Sequence, residues 1–233
     1  MRRRDLIGAM AACGLLAACG SEPGSSGAAG KGTNTLRYKM TVEVDTPHGI
    51  KSGYAIRELT RRRPSDSLGI GQDRGSTKLR GDAVVVRLPD NREVFALLTG
   101  VSGDVNYSTQ IIYWSELWGK PEGASLELYP EIPKMDSLDS GNALPMLVRF
   151  AVQHDPRTVE QLKPEELERV FGSGVRIKRI TVSITADPVT NFLENHLEGL
   201  GINKNESLDG DFRPTTRPTL AQKLGYNDFT REQ

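Results

Sequence analysis

From residue 36 the chain falls into period two. Leu36, Tyr38, Met40, Val42 and Val44 alternate with Arg37, Lys39, Thr41, Glu43 and Asp45, which predicts a strand with one buried and one wet face. Thr46-Pro47-His48-Gly49 reads as a turn, and a second extended segment runs from Tyr54 to Leu59. Residues 61–77 are charged and glycine-bearing, which predicts a surface loop. Residues 83–88 and 94–98 flank Pro89-Asp90-Asn91-Arg92, a hairpin signal, and their apolar residues on both faces place the pair centrally in a sheet. A further strand is expected at 111–114, and mostly loop across 119–143.

Alternation returns at Met146, Val148, Phe150 and Val152. Pro164, Glu165 and Glu166 open a short helix whose apolar face carries Leu167, Val170 and Phe171, with Gly172 as its stop. The strand at 175–185 changes parity, from Val175 and Ile177 to Ile180, Val182 and Ile184, which predicts a bulge near Lys178 and Arg179. Asp187-Pro188 then starts a helix carrying Phe192, Leu193, His196, Leu197 and Leu200. The connection between the strands at 152 and 175 suits either a parallel crossover or an antiparallel return. Beyond Gly201 the chain is polar, with isolated Leu208, Phe212, Leu220, Leu224 and Phe229. The expected fold class is α+β, a mainly antiparallel β-sheet with two short helices in the C-terminal half.

The first 34 residues follow a different logic. Arg2-Arg3-Arg4 is a basic segment, and the small and apolar run from Leu6 to Ala18 is too short to span a bilayer as a helix, which takes about 20 residues. It has the form of a signal peptide. The run ends in Leu16-Ala17-Ala18-Cys19 and resembles the lipobox of bacterial lipoprotein precursors. That resemblance implies diacylglyceryl transfer to the Cys19 thiol, cleavage before Cys19, and a bilayer as partner. Gly20, where retained family members often carry aspartate, implies the outer membrane, on its periplasmic face. Arg3-Arg4-Asp5-Leu6-Ile7 also resembles a degraded twin-arginine signal. Residues 20–34, rich in Gly, Ser and Ala, read as a flexible tether. The expected organisation is signal peptide 1–18, lipidated Cys19 and tether 19–34, β-rich domain 35–200, and polar arm 201–233.

The precursor has 30 basic and 30 acidic residues. Removing residues 1–18 takes three arginines and one aspartate and leaves a domain about two charges acidic, against the basic excess that nucleic-acid binding requires. Cys13 and Cys19 are the only cysteines, so the processed chain has no internal disulfide and no thiolate metal site. No cofactor, metal or catalytic residue is expected from motif spacing. Asp139-Ser140-Gly141 matches the aspartic protease tripeptide but lies in a polar stretch without a second copy. His48, His154 and His196 show no zinc spacing, and no nucleophile elbow accompanies His154-Asp155. Asp209-Gly210-Asp211 is too little for a calcium loop.

Two surface candidates remain. Tyr107, Tyr113, Trp114, Trp118 and Tyr129 concentrate the aromatics; Tyr113, Trp114 and Trp118 are the candidates for stacking on glycan or anchoring an envelope protein, and core packing is the competing reading. The stretch 51–92 carries ten basic and five acidic residues, including Arg61-Arg62-Arg63, in the manner of a headgroup-facing patch or of a solvated loop. The segments Thr41–Pro47, Arg179–Val182 and Asp187–Thr190 resemble stretches of uncharacterised bacterial proteins, a resemblance that implies no activity. The expected function is a lipid-anchored envelope module that binds or scaffolds; the alternative is an anchored hydrolase acting on cell wall or peptide, with Asp and His residues converging only in space.

Overall fold

A computed structural model describes residues 33–63, 75–130, 143–204, 206–210 and 216–232. Its first strand, β1 (Thr33–Asp45), buries Tyr38, Met40, Val42 and Val44 completely and leaves the alternate residues half-buried, as period two demands. β2 (Lys51–Arg62) returns antiparallel through the Thr46–Gly49 turn, where the Thr46 hydroxyl donates to the Gly49 carbonyl at 2.7 Å. β3 (Ser76–Asp82), β6 (Ser125–Tyr129), β9 (Arg176–Ile184) and β10 (Thr230–Arg231) complete a six-stranded sheet in the order β10-β3-β2-β1-β9-β6. A second sheet runs β4-β5-β7-β8, from β4 (Val84–Arg87), β5 (Glu93–Gly100), β7 (Pro145–Phe150) and β8 (Val159–Leu162). Every pairing among the described strands is antiparallel.

The sheets pack face to face. Tyr38, Met40, Val42, Leu59, Ile180 and Val182 of the first meet Val84, Val86, Val94, Ala96, Leu98 and Leu147 of the second. The opposite face of the second sheet carries Phe95, Leu97, Met146 and Val148. It is covered by α3 (Leu193–Gly199), α4 (Leu220–Lys223) and α5 (Tyr226–Phe229), through Leu193, Leu197, Ala221 and Phe229. β5 is therefore buried on both faces, the reason for its unbroken apolar run. Burying these side chains contributes about 1.5–3 kcal/mol each.

One fully buried cation crosses the core. Arg57 on β2 donates to the carbonyl of Asp82 at 2.9 Å, the hydroxyl of Ser108 at 3.1 Å and the carbonyl of Ala96 at 3.4 Å. Asp82 accepts from Thr230 at 2.7 Å and from the Leu193 amide at 3.3 Å, so β10 and α3 are tied to the same network. Burial pushes the Asp82 carboxyl above its ordinary range, against the opposing bonds from Thr230 and the backbone.

Several expectations hold in detail. The bulge falls at Lys178: Glu43 faces Arg179 while the next residue, Val44, faces Ile177. The 89–92 hairpin joins β4 to β5, and the short helix α2 (Leu167–Phe171) ends at Gly172 with φ of 105°. Others are corrected. Residues 111–114 belong to a helix, α1 (Tyr107–Trp114), which buries Tyr107, Ser108, Ile111 and Ile112; that face is helical in period but begins four residues before the apolar pair. The helices are thus not confined to the C-terminal half. The loop expected at 61–77 is bounded by strand at each end, because β3, with Leu79 its only large apolar residue, is held between β2 and β10. Similarly, β6 lies inside the expected 119–143 loop.

Only β5 of the predicted central pair is central; β4 is an edge strand of its sheet. The strands at 145–150 and 176–184 belong to different sheets, so their connection is neither of the two expected kinds, and β8 interrupts it. The helix expected from Pro188 starts at Leu193, because Thr190 is tied to β2: its amide donates to the Ile56 carbonyl and its hydroxyl accepts from the Ile56 amide. Beyond Gly201 the chain returns to the body and seats Leu208, Leu224 and Phe229 in its core. Among the described residues no helix is long and apolar enough to cross a membrane.

Candidate functional site

β2 changes neighbours along its length. On the side away from β1, its pairing with β3 begins at Glu58, so, among the described residues, 51–57 have no strand partner there. Successive residues of a strand aim their N–H and C=O groups to opposite sides. Ile56 aims toward β3's side: its amide donates to the Thr190 hydroxyl at 3.1 Å, and its carbonyl accepts from the Thr190 amide at 3.1 Å. The β1–β2 register is continuous, so Ser52 and Tyr54 aim the same way, toward an open edge.

Across the inner face of this end of β2, the face that Gly53 shares with Val42, runs β4. A Cβ on Gly53 would stand 2.0 Å from the Val85 carbonyl oxygen, so only glycine lets the two backbones meet. Between them lies a groove of about 460 Å³ lined by Lys51, Ser52, Gly53, Tyr54, Val85, Arg87, Phe192, Leu193 and His196. Tyr54 is 49% and Phe192 52% exposed, an unusual cost for two aromatic rings on one rim. The Lys39 ammonium sits 4.3 Å over the Tyr54 ring.

The floor of the groove is electrostatically organised. His196 Nε2–H donates to Glu93 Oε2 at 2.9 Å, Arg87 donates to Glu93 Oε1 at 3.3 Å, and the His196 ring stacks on Phe95 with centroids 6.0 Å apart. Burial raises the Glu93 carboxyl, and the His196 bond and charge together with Arg87 outweigh it, leaving the group below its ordinary 4.5. Arg87 and His196 also border an adjoining depression of about 270 Å³ that includes His154, Asn195 and Gln153. There His154 Nδ1–H donates to the Gly199 carbonyl at 3.1 Å.

The candidate aromatics lie elsewhere. Tyr113 and Trp118 stack on each other, centroids 5.2 Å apart and planes 12° from parallel, with the Arg61 guanidinium 5.5 Å over Tyr113. Trp114 stands beside them at the end of α1, and all three are half-buried. Tyr107 is core, and Tyr129 packs against it. Cys19, Asp136, Asp139 and Phe212 lie outside the described residues. His48 occupies the Thr46–Gly49 turn, His154 packs on Gly199, and Asp187 follows β9; no hydrogen bond among the described residues joins any two of them. Among the described residues no group of three His, Cys, Asp or Glu side chains gathers as a metal set.

The sequence pattern set His196 on a helix among Leu193, Leu197 and Leu200 and left 51–92 as a headgroup-facing patch or a solvated loop, with no sign of the groove. The legible signal was Tyr54, a large aromatic on the wet parity of its strand. No protein-family model matches this chain, and no curated protein and no solved structure matches it.

Proposed function

We propose that this chain is a bacterial lipoprotein, held on the envelope by acyl chains on Cys19, whose β-rich domain is a non-enzymatic binding module. The observation that carries the reading is the run from Arg2-Arg3-Arg4 through Leu16-Ala17-Ala18-Cys19, followed by the Gly/Ser/Ala stretch 20–34. Each buried CH₂ of an acyl chain contributes about 0.8 kcal/mol, so two chains anchor stably where one does not. Gly20 favours the outer membrane in a cell that has one. The open groove with Tyr54 and Phe192 on its rim supports binding, since exposed aromatics beside cations are the residue types from which recognition surfaces are built. The test is metabolic labelling with a palmitate analogue. Wild type takes the label and fractionates with membranes, and Cys19→Ala loses both. A Cys19→Ala protein that stays on membranes and is cut at the same bond overturns the anchor.

One observation favours a second reading, an anchored hydrolase. A carboxylate orients the His196 imidazole, and Ser52 shares the groove lining with it. Hydrolysis of a peptide or wall substrate by the full chain, abolished in both Ser52→Ala and His196→Ala, decides for this reading over the first.

A further inference from the structure

We infer that the groove receives an extended acidic peptide segment of a partner protein, which adds as a strand to the open edge of β2 at Ser52 and Tyr54. The inference rests on the reading of the domain as a binding module and names the chemistry of what it binds.

Three observations converge. The first is the edge itself. Exposed strand edges invite pairing, and proteins commonly block them with charge, proline, a bulge or a covering segment. Here the covering segment stops short. Thr190 supplies a single rung to Ile56 through its amide and hydroxyl, and the chain then turns into α3. The next two outward-facing residues, Tyr54 and Ser52, continue the same edge into the groove. Residues 51–54 span about 13 Å at roughly 3.3 Å per residue, room for a strand of some four residues.

The second is charge. Lys51, Arg87 and His196 line the groove, and its lining contains no carboxylate. Glu93, the acid behind it, already accepts bonds from His196 and Arg87. The Arg87 side chain is 77% exposed, so it reaches Glu93 from the solvent side and remains available to a second carboxylate. The third is the rim, where Tyr54 and Phe192, both about half exposed, offer apolar surface to the side chains of an added strand. Main-chain bonds to an edge give affinity, and flanking groups read the side chains.

The test is fluorescence anisotropy on the detergent-purified full chain with a labelled peptide of about ten residues, alternating Glu and Val, long enough to cover the edge. Wild type binds it. An alternating Lys–Val peptide, and the Glu–Val peptide N-methylated at every second residue, bind roughly tenfold weaker or less tightly still, because one lacks the charge and the other the backbone donors. Ser52→Pro removes the edge amide and Arg87→Glu reverses an exposed charge; each weakens binding by roughly tenfold or more. Should Ser52→Pro fail to fold, Arg87→Glu and Phe192→Ala, both at exposed side chains, carry the comparison. Absence of binding by wild type overturns the inference, as does binding indifferent to methylation or charge sign. So does equal capture of protein-free anionic vesicles that depends on the same residues. None of these results touches the palmitate label on Cys19, which judges the anchor separately.

Discussion

The Val85 carbonyl oxygen lies where a side chain on Gly53 would begin, 2.0 Å from the position of its Cβ. The contact is backbone against backbone, with the Val85 carbonyl carbon at 2.7 Å, so no rotamer change relieves it. Gly53→Ala must push β4 away from β2 and is expected to cost about 1–3 kcal/mol. Gly199, at the end of α3, has no heavy atom within 4 Å of its Cβ position, and Gly199→Ala is expected to be neutral or slightly stabilising. Urea midpoints of the two variants, compared with wild type, check the contrast.

Glu93 makes the fold acid-sensitive. Its folded carboxyl lies below the ordinary 4.5, held there by His196 and Arg87 against the effect of burial. A depressed carboxyl contributes stability above its unfolded value and loses it as pH falls through the folded one. Glu93→Gln is therefore expected to flatten the fall in denaturant midpoint below about pH 4.5. An unchanged acid limb in the variant would show that other carboxylates govern it.

Asp82 acts in the opposite direction. Burial raises its carboxyl above 3.8 despite the bonds from Thr230 and the backbone of Leu193 and Phe192. A raised carboxyl contributes stability below the unfolded value, lost as pH climbs through the folded one. Asp82→Asn is expected to remove this loss, so the variant-minus-wild-type difference in midpoint becomes more favourable to the variant as pH rises from about 3.8. A pH series of urea melts reads the sign directly.

Arg57 is expected to be the least replaceable polar residue of the core. Truncation to Ala takes a donor from the Asp82 and Ala96 carbonyls and from the Ser108 hydroxyl, which keeps its own bond to the Leu98 carbonyl, and removes the cation that faces Tyr38 at 6.0 Å. The lost bonds and the cavity left by a fully buried side chain are together expected to cost about 3–5 kcal/mol. Arg57→Lys restores only part of it, because one ammonium does not reproduce the planar fork that meets three acceptors. Thermal and urea unfolding of both variants measure the difference.

Phe229 fastens the C-terminal segment. It is fully buried, edge-on to Phe95 at 5.6 Å and stacked on Phe150 at 6.0 Å. Phe229→Ala is expected to cost about 3–5 kcal/mol. Asn227→Ala, two residues earlier and exposed, is expected to stay within about 0.5 kcal/mol. Equal effects would mean that the segment contributes no core.

What the amino-acid order determined alone was a set of local features. The strand from Leu36 to Val44 and the bulge at Lys178 follow from which residues two apart share a face, and the hairpin at Pro89–Asn91 and the stop at Gly172 from local turn and cap residues. Where burial departs from those periods the reading failed. β8 buries Val159 and Leu162, a spacing that belongs to neither period of two nor a full helix, and β3 is a strand because its neighbours pair with it.

Tertiary structure decided the groove. Tyr54 and Phe192 are 138 positions apart in the chain, and nothing in either local pattern brings them to one rim. Among the described residues the edge at Ser52 is open because β3 begins pairing only at Glu58 and Thr190 covers only Ile56. The pairing of His196 with Glu93 likewise needs α3 to cross the second sheet. Periodicity reports which face of an element is dry, because burial repeats along the chain; which edge stays unpaired depends on where distant elements end, and that information is absent from any local window.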